Sequence, residues 1–230
     1  MRTKTETIES AIAKISDGDT IMVGGFGVPG TPFCLLDELV RQGQKHLTLI
    51  KNDANEPGMG VDLLLQNGQI DKLVVSHIGL NTNATKLMNE ARIEVEFCPQ
   101  GILAERIRCA GAGLFGFLTD IGIDTILAKD KPRLMVDGRN LLLEKPLKAD
   151  FALLHAHSAD ALGNLVYAAT AQNFSPLMAM AAGKVIVEIE HLLASGDLQP
   201  ETIHTPAPFV DVLVKLSQLT AQYGVLRHAR

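Results

Sequence analysis

The chain has 230 residues, of which 47% are apolar and 20% are charged, and its formal net charge is −5. This length is typical of one compact domain with a sizeable core, and the composition excludes disorder as the main state. Because the basic residues are scattered and form no cationic stripe, we expect no nucleic-acid partner.

The N-terminal segment predicts a short amphipathic helix and no targeting sequence. Ile8, Ala11, Ile12 and Ile15 recur at helical spacing, and the segment has no apolar core of signal-peptide length. No apolar run in the sequence is long enough to span a bilayer. We therefore expect a cytoplasmic protein that does not associate with membranes.

Apolar runs typical of β-strands alternate with helical stretches along the chain. The runs lie at 20–24, 47–51, 72–76, 93–97, 151–155 and 184–189, and the helical stretches lie at 32–42, 82–91 and 99–109. Short unbroken apolar strands between helices favour a parallel sheet covered on both faces. Asp137-Gly138, within 133–143, is typical of a hairpin turn. The predicted fold is α/β: one domain over 1–230, with an open, mostly parallel sheet flanked by helices and a small antiparallel excursion.

A glycine-rich segment, GGFGVPGTP at 24–32, follows the first predicted strand. Glycine lets the backbone approach a ligand closely. Thr31-Pro32 predicts an N-cap and a first helical residue. The free N–H groups and positive dipole end of that helix would then face the same space and favour an anion.

The same segment also satisfies G-x-G-x-x-G, the fingerprint of dinucleotide-binding proteins. Asp53 follows the next strand, where a ribose-binding carboxylate would stand. Pro29 argues against this interpretation because it lacks the N–H group that a pyrophosphate would need. Asp53 also lies in a run of turn-forming residues, NDANEPG at 52–58. An NAD-dependent oxidoreductase therefore stays open as an alternative function.

A longer signature contains this loop. The segment DGDTIMVGGFGVPGTP resembles the signature of family I CoA-transferases of the alpha-subunit type. Every fixed position of that signature is met, at Asp17, Gly18, Ile21, Met22, Val23, Gly24, Gly25, Phe26, Gly30 and Pro32. Segments at 76–81, 99–119 and 162–167 follow in the order expected of the alpha chain of an acetate or acetoacetate CoA-transferase. The likeness extends to about residue 215.

The resemblance implies where coenzyme A binds and how the reaction proceeds. The CoA segment would comprise Gly24, Gly25, Phe26, Gly27, Val28, Pro29 and Gly30, with CoA as a substrate and no permanently bound cofactor. In this family a glutamate attacks the acyl-CoA thioester, and an acyl–glutamate anhydride and then a glutamyl-CoA thioester form. That glutamate belongs to the beta subunit or to the second half of fused enzymes.

No glutamate motif of this kind is found in the present sequence. Glu56 lies in the turn-rich loop, where we expect a solvated charge, and we expect Glu105 to pair locally with Arg108 or Arg106. The sequence therefore predicts half of an active site, completed by a beta subunit in an α2β2 assembly. A CoA-binding regulatory module without a partner is a further alternative. Acetate, acetoacetate, butyrate and succinate all stay open as substrates.

Two amides are candidates for supporting the reaction. Asn52 and Gln100 follow predicted strands, and the carboxyl ends of parallel strands are where ligands of open α/β sheets bind. The family resemblance implies an Asn and a Gln near the catalytic glutamate, where they would stabilise developing negative charge. The alternative is that each merely caps a loop or a helix.

The sequence predicts neither a disulfide framework nor a metal site. Cys34, Cys98 and Cys109 are far apart and never in C-x-x-C spacing, so we expect buried reduced thiols. His155 and His157 share one strand face by the period of two, and two such histidines can bind zinc. Because no third ligand stands nearby in the sequence, we expect a hydrogen-bonded structural role for them and no metal.

Overall fold

The architecture comes from a computed structural model, which describes residues 4–223. The strands are β1 (Thr20–Val23), β2 (Leu47–Ile50), β3 (Ile70–Val75), β4 (Glu94–Phe97), β5 (Phe117–Thr119), β6 (Arg133–Val136), β7 (Arg139–Glu144), β8 (Ala149–Asp160), β9 (Leu165–Val166), β10 (Ala182–Leu193) and β11 (Val212–Lys215). The helices are α1 (Ile8–Ile12), α2 (Phe33–Gln42), α3 (Val61–Gln66), α4 (Thr82–Asn89), α5 (Gln100–Gly111) and α6 (Ser175–Ala181). The strands and helices predicted from the sequence are all present.

The main sheet has eight strands. Its order is β11-β10-β8-β1-β2-β3-β4, with β9 paired to β8. All pairs along this order are parallel, and the pair of β8 with β9 is antiparallel. The predicted open, mostly parallel sheet is therefore confirmed.

The sheet order reverses at β1. From β1 the chain builds β2, β3 and β4 in one direction, and then returns to the other side of β1 to add β8, β10 and β11. In open α/β sheets such a reversal opens a crevice at the carboxyl ends of the strands, and ligands bind there. The glycine-rich loop leaves β1 at this point.

Helices cover both faces of the sheet. Alternate side chains of β1 point to opposite faces, so that Ile21 and Val23 pack with the core under α1–α4 and Met22 packs with the core under α5 and α6. On the first face, Ala11, Ile12 and Ile15 are buried, which confirms the apolar side predicted for the N-terminal segment. No helix among residues 4–223 combines the length and the apolarity needed to cross a membrane.

A second sheet, of three antiparallel strands in the order β5-β7-β6, forms the predicted excursion. Asp137 and Gly138 connect β6 to β7 with φ values of 47° and 74°, which both central residues of a type I′ hairpin turn require. This segment carries strongly exposed apolar side chains, including Phe115 (97% exposed), Ile126 (89%) and Met135 (69%).

Candidate functional site

The glycine-rich loop is a closed turn that follows the end of β1 and is hydrogen-bonded to the interior of β8. Gly24 N–H donates to the Leu153 carbonyl at 2.9 Å, and Phe26 N–H donates to the Pro29 carbonyl at 3.0 Å. Gly25 has a φ of 99°, and a Cβ there would lie 2.5 Å from Thr31 N. Glycine at this position is therefore required by the backbone conformation as well as by space.

The hydroxyl of Thr31 closes the loop and does not cap the helix. Thr31 Oγ1 donates to the Gly27 carbonyl at 2.6 Å, and α2 begins at Phe33 with Pro32 at its N-cap position. The predicted Thr31 cap, with Pro32 as the first helical residue, is therefore wrong. The hydrogen bond to Gly27 holds the hydroxyl over the loop, and α2 has no side-chain cap.

A buried ion pair anchors the crest of the glycine-rich loop, by which we mean residues 26–28 at its tip. Asp53 Oδ2 accepts from Gly27 N–H at 2.8 Å, and Asp53 Oδ1 lies 3.3 Å from the Nζ of Lys51, whose side chain is fully buried. Burial raises the pKa of Asp53, but the Lys51 charge and the N–H donors outweigh that effect and hold this pKa below its usual 3.8. Burial lowers the pKa of Lys51. The carboxylate thus stays ionised and fixes the loop.

The anchor continues through Asn52 to Gln100. Asn52 Nδ2 donates to Asp53 Oδ2 at 3.0 Å, and Gln100 Nε2 donates to Asn52 Oδ1 at 2.7 Å. Asn52 is fully buried, whereas Gln100 is exposed as the first residue of α5. A continuous chain of hydrogen bonds therefore joins the N–H group of Gly27 to the amide of Gln100. The amide of Asn52 is therefore enclosed and holds that of Gln100, which is exposed.

The N-terminus of α2 holds a protein carboxylate, which corrects the expectation of an anion site there. Glu188 Oε2 accepts from Leu35 N–H at 2.8 Å, and Glu188 is fully buried. The hydroxyl of Tyr223 lies 2.8 Å from Glu188 Oε1 and also contacts the Thr31 carbonyl, and its single proton is donated to one of these acceptors at a time. Because β10 places this carboxylate at the positive end of the helix dipole, that end is not available to a phosphate.

The environments expected for Glu56 and Glu105 agree with the structure. Glu105 lies on α5 and pairs with Arg108 at 2.9 Å, which confirms the predicted local salt bridge. Glu56 is an exposed residue of the loop that precedes α3. Neither carboxylate lies in the hydrogen-bonded chain that joins Gly27 to Gln100.

A cavity of about 90 Å³ lies between the glycine-rich loop and the ends of β2 and β3. Its lining comprises Phe26, Gly27, Val28, Asp53, Ala54, Asn55, Glu56, Met59, His77, Ile78 and Leu80. This volume suits a segment of a ligand rather than a whole cofactor. A second cavity, of about 510 Å³, lies on the other side of the loop beside Pro29 and Gly30. A larger one, of about 770 Å³, is lined by Thr5–Ile8, Cys34 and 214–220, none of which we predict as a site residue.

Sequence reasoning missed Lys51 and Glu188 and gave Asp53 a different role. The spacing of Lys51 and Asp53, two residues apart at the end of an apolar strand, is the signal for a same-side ion pair. An acid within the apolar run VIVEIE is the corresponding signal for Glu188. The ribose-binding role considered for Asp53 is not supported, because both oxygens of its carboxylate accept hydrogen bonds from protein groups.

The chain is similar in sequence to CoA-transferases over nearly its whole length. The profile of the family described as Coenzyme A transferase matches residues 5–216. The alpha chain of acetate CoA-transferase from Escherichia coli (strain K12) is 45% identical over 214 residues, covering 93% of this chain and 97% of that protein. The alpha chain of the acetoacetyl-CoA:acetate/butyrate CoA transferase from Clostridium acetobutylicum is 43% identical over 215 residues, covering 94% of this chain and 99% of that protein.

Solved structures share the fold. An acyl-CoA transferase from Escherichia coli O157:H7, in a thioester complex with CoA, aligns with a TM-score of 0.86 at 21% identity. The alignment covers 97% of this chain and 49% of the other, so this chain spans about half the length of that protein. Glutaconate coenzyme A-transferase from Acidaminococcus fermentans aligns with a TM-score of 0.83 at 20% identity, over 93% of this chain and 75% of that one.

Proposed function

This chain belongs to the coenzyme A transferase family and is one subunit of such an enzyme, and we propose that it is the alpha chain of a transferase that moves CoA between a short-chain acyl-CoA and a free carboxylic acid. The observation that carries this proposal is the hydrogen-bonded chain from Gly27 through Asp53 and Asn52 to Gln100. It couples the loop that the family signature assigns to CoA with the amide expected beside the reacting glutamate.

The loop from Gly24 to Gly30 binds the acyl-bearing end of CoA in this proposal. Among residues 4–223, the N–H groups of Val28 and Gly30 donate no hydrogen bond to protein, and Phe26 is 46% exposed at the crest. These groups suit the amide and thioester portions of the ligand. Because Glu188 occupies the N-terminus of α2, the phosphates of CoA bind elsewhere, on the partner or on the surface outside the loop.

The chemistry needs a glutamate that the partner supplies. Its carboxylate attacks the thioester carbonyl, CoA leaves as a thiolate, and an acyl–glutamate anhydride forms. The thiolate then attacks the glutamyl carbonyl, which releases the acyl group as a carboxylate and leaves a glutamyl-CoA thioester. The acceptor carboxylate reverses these steps. Gln100 donates one N–H to Asn52 and keeps the other for the oxyanion that develops at each attack.

An exposed apolar surface supports the need for a partner chain. Phe115 is 97% exposed and Ile126 is 89% exposed, and both belong to the segment around the small antiparallel sheet. Apolar patches of this kind mark interaction sites on soluble proteins. We propose that a beta subunit covers this segment and that the complete enzyme is an α2β2 tetramer.

Co-purification of this chain with its beta subunit tests the proposal. We expect equal amounts of the two chains by native mass spectrometry and exchange of CoA between acetyl-CoA and acetoacetate, with acetate, butyrate and succinate as further acceptors. Trapping with hydroxylamine should modify a glutamate of the partner. Transfer activity of this chain alone would contradict the half-site, and binding of NADH without CoA exchange would contradict the whole proposal.

Gln100 gives a sharper test of the site. In the complete enzyme, Gln100→Ala should lower kcat by about 10²–10³, the loss typical of one oxyanion donor, with a small effect on the KM for CoA. Gln66→Ala, on the surface of α3, is the matched control and should leave both constants unchanged. An unchanged kcat in Gln100→Ala would remove Gln100 from the mechanism and leave the CoA-transferase assignment intact.

A further inference from the structure

Three potential metal ligands converge where β8 and β10 approach their carboxyl ends. His157, Glu190 and His191 each offer one ligand atom, and these atoms all lie within 4.8 Å of one another. The parallel register pairs Ala156 with Ile189 and Ser158 with His191, so His157 and Glu190 face each other across the two strands. Sequence alone hides this cluster, because its members come from two strands with α6 between them.

We propose that His157, Glu190 and His191 form a binding site for a divalent transition-metal ion of the Zn²⁺ class. Two imidazoles and one carboxylate are a donor set that suits this class of ion. His157 Nδ1 lies 3.5 Å from Glu190 Oε1, and the rings of His157 and His191 are nearly perpendicular with centroids 4.8 Å apart. Ligand atoms about 2.0–2.2 Å from a tetrahedral Zn²⁺ lie about 3.3–3.5 Å apart, so small side-chain rotations complete the site.

The surroundings hold the carboxylate in place. His155 Nε2 lies 3.2 Å from Glu190 Oε1, and His155 Nδ1 lies 3.0 Å from Glu188 Oε1. His155 is buried, so this chain of contacts starts in the core and ends at the ligand. Outer-shell partners of this kind orient the ligands of natural metal sites. Neither His157 nor His191 makes a hydrogen bond or ion pair to any other residue among 4–223 besides the contact with Glu190.

The site opens on the cavity of about 510 Å³ that borders the glycine-rich loop. His157 and Glu190 line this cavity together with Pro29, Gly30 and Tyr223. Three protein ligands leave a fourth position of the metal free, as in zinc sites that exchange ligands. Water or an anionic group from the cavity would occupy that position.

Titration with Co²⁺ tests this inference without any measurement of transfer activity. The enzyme, stripped with a chelator, should bind one Co²⁺ per chain with visible d–d absorption bands, and Zn²⁺ should displace it. His191→Ala and Glu190→Gln should each weaken binding by at least about 10–100-fold, the loss typical of even an outer-shell partner. His46→Ala is the control, because His46 pairs with Asp71 in an exposed histidine–acid contact elsewhere.

The choice of variants separates a loss of metal binding from a loss of folding. His191 is exposed, so His191→Ala should leave thermal melting close to that of the unmodified protein, whereas Glu190→Gln keeps the shape of the side chain but loses the charge beside His155. Absence of the d–d bands, or weak Co²⁺ binding that neither variant alters, would overturn the inference. His157 and Glu190 would then form only an ion pair. Because the readout is metal binding, this outcome would leave the proposed transferase function untouched.

Discussion

Replacing Asp53 separates the anchoring of the loop from the pairing of a buried charge. The carboxylate accepts from Gly27 N–H at 2.8 Å, from Asn55 N–H at 2.9 Å and from Asn52 Nδ2 at 3.0 Å. It is also the ionic partner of Lys51, at 3.3 Å. Asp53→Ala removes all four interactions. Asp53→Asn can keep its oxygen towards Gly27 and Asn52, but its NH2 group replaces the oxygen that accepts from Asn55 N–H and pairs with Lys51.

The structure sets the size of the two effects. Removing one member of a buried ion pair costs about 3–5 kcal/mol, and Lys51 softens this cost by losing its proton, since burial already lowers its pKa. We expect both variants to lower the free energy of unfolding by about 2–5 kcal/mol, within the 5–15 kcal/mol typical of a domain. Only Asp53→Ala also releases the N–H of Gly27. If the loss of this hydrogen bond weakens CoA binding by about 1.4 kcal/mol, the KM for CoA rises tenfold.

The assay pairs urea unfolding of each variant with steady-state kinetics of the complete enzyme, at a temperature where all forms are folded. Asp53→Ala should raise the KM for CoA about tenfold, and Asp53→Asn should raise it by much less. The double variant Lys51→Met/Asp53→Ala removes the unpaired charge, so it should recover stability without recovering the KM. Equal KM values for all variants and the unmodified enzyme would refute the anchoring role of Asp53.

Three further outcomes follow from the same structure. The pKa of Asp53 lies below its usual 3.8 in the folded state, so the stabilisation by its carboxylate is fully present well above pH 3.8 and is lost as the pH falls through the folded-state pKa. In urea titrations, the difference in unfolding free energy between the unmodified protein and Asp53→Asn should therefore close only below pH 3.8. Gly111→Ala should destabilise the protein by about 1–3 kcal/mol, because the added Cβ would lie 2.6 Å from the Cβ of Met180. Gly101→Ala, on the same helix, has open space around the added Cβ and should stabilise the protein slightly. Equal urea midpoints for the two variants would contradict close packing of α5 on α6. Burial and the nearby Glu188 and Asp37 raise the pKa of Cys34 to about 12. At pH 8, DTNB should therefore label the Cys34 thiol slowly in the folded protein and all cysteines quickly in guanidinium. Rapid labelling of Cys34 in the folded protein would contradict this pKa.

The order of the strands and helices was predictable because each strand is an apolar run in a sheet that is buried on both faces. The ends of β8 and β10 were not predictable in the same way. Both strands continue beyond their apolar runs through polar residues, to Asp160 and Leu193. These residues stay in the sheet because their partners stand on the neighbouring strand, as Ser158 does opposite His191. A pattern read along one strand carries no information about such pairs.

The site was predictable to the extent that it depends on strand ends. Asn52 and Gln100 follow β2 and β4, and the rule that carboxyl ends of parallel strands meet at one edge brings them within hydrogen-bond distance. The difference between the two amides was not predictable, because it depends on burial: Asn52 is enclosed and Gln100 is exposed. The place of Glu188 at the start of α2 depends on a strand far along the chain, and only the register of β10 reveals it.

The glycine-rich loop shows why a matched pattern does not determine a ligand. G-x-G-x-x-G implies a pyrophosphate only when the helix behind it offers free N–H groups. Here that helix starts after the last glycine, and its N-terminal N–H groups face Tyr223 and Glu188. A pyrophosphate at this position would be repelled by a buried carboxylate that already accepts from Leu35 N–H. The glycines instead shape a crest that is held from below by Asp53 and leaves the N–H group of Val28 without a protein partner among residues 4–223. Under the proposed function, this arrangement favours a neutral, narrow part of the acyl-CoA over its phosphates, and that neutral part has to reach the reacting carboxylate.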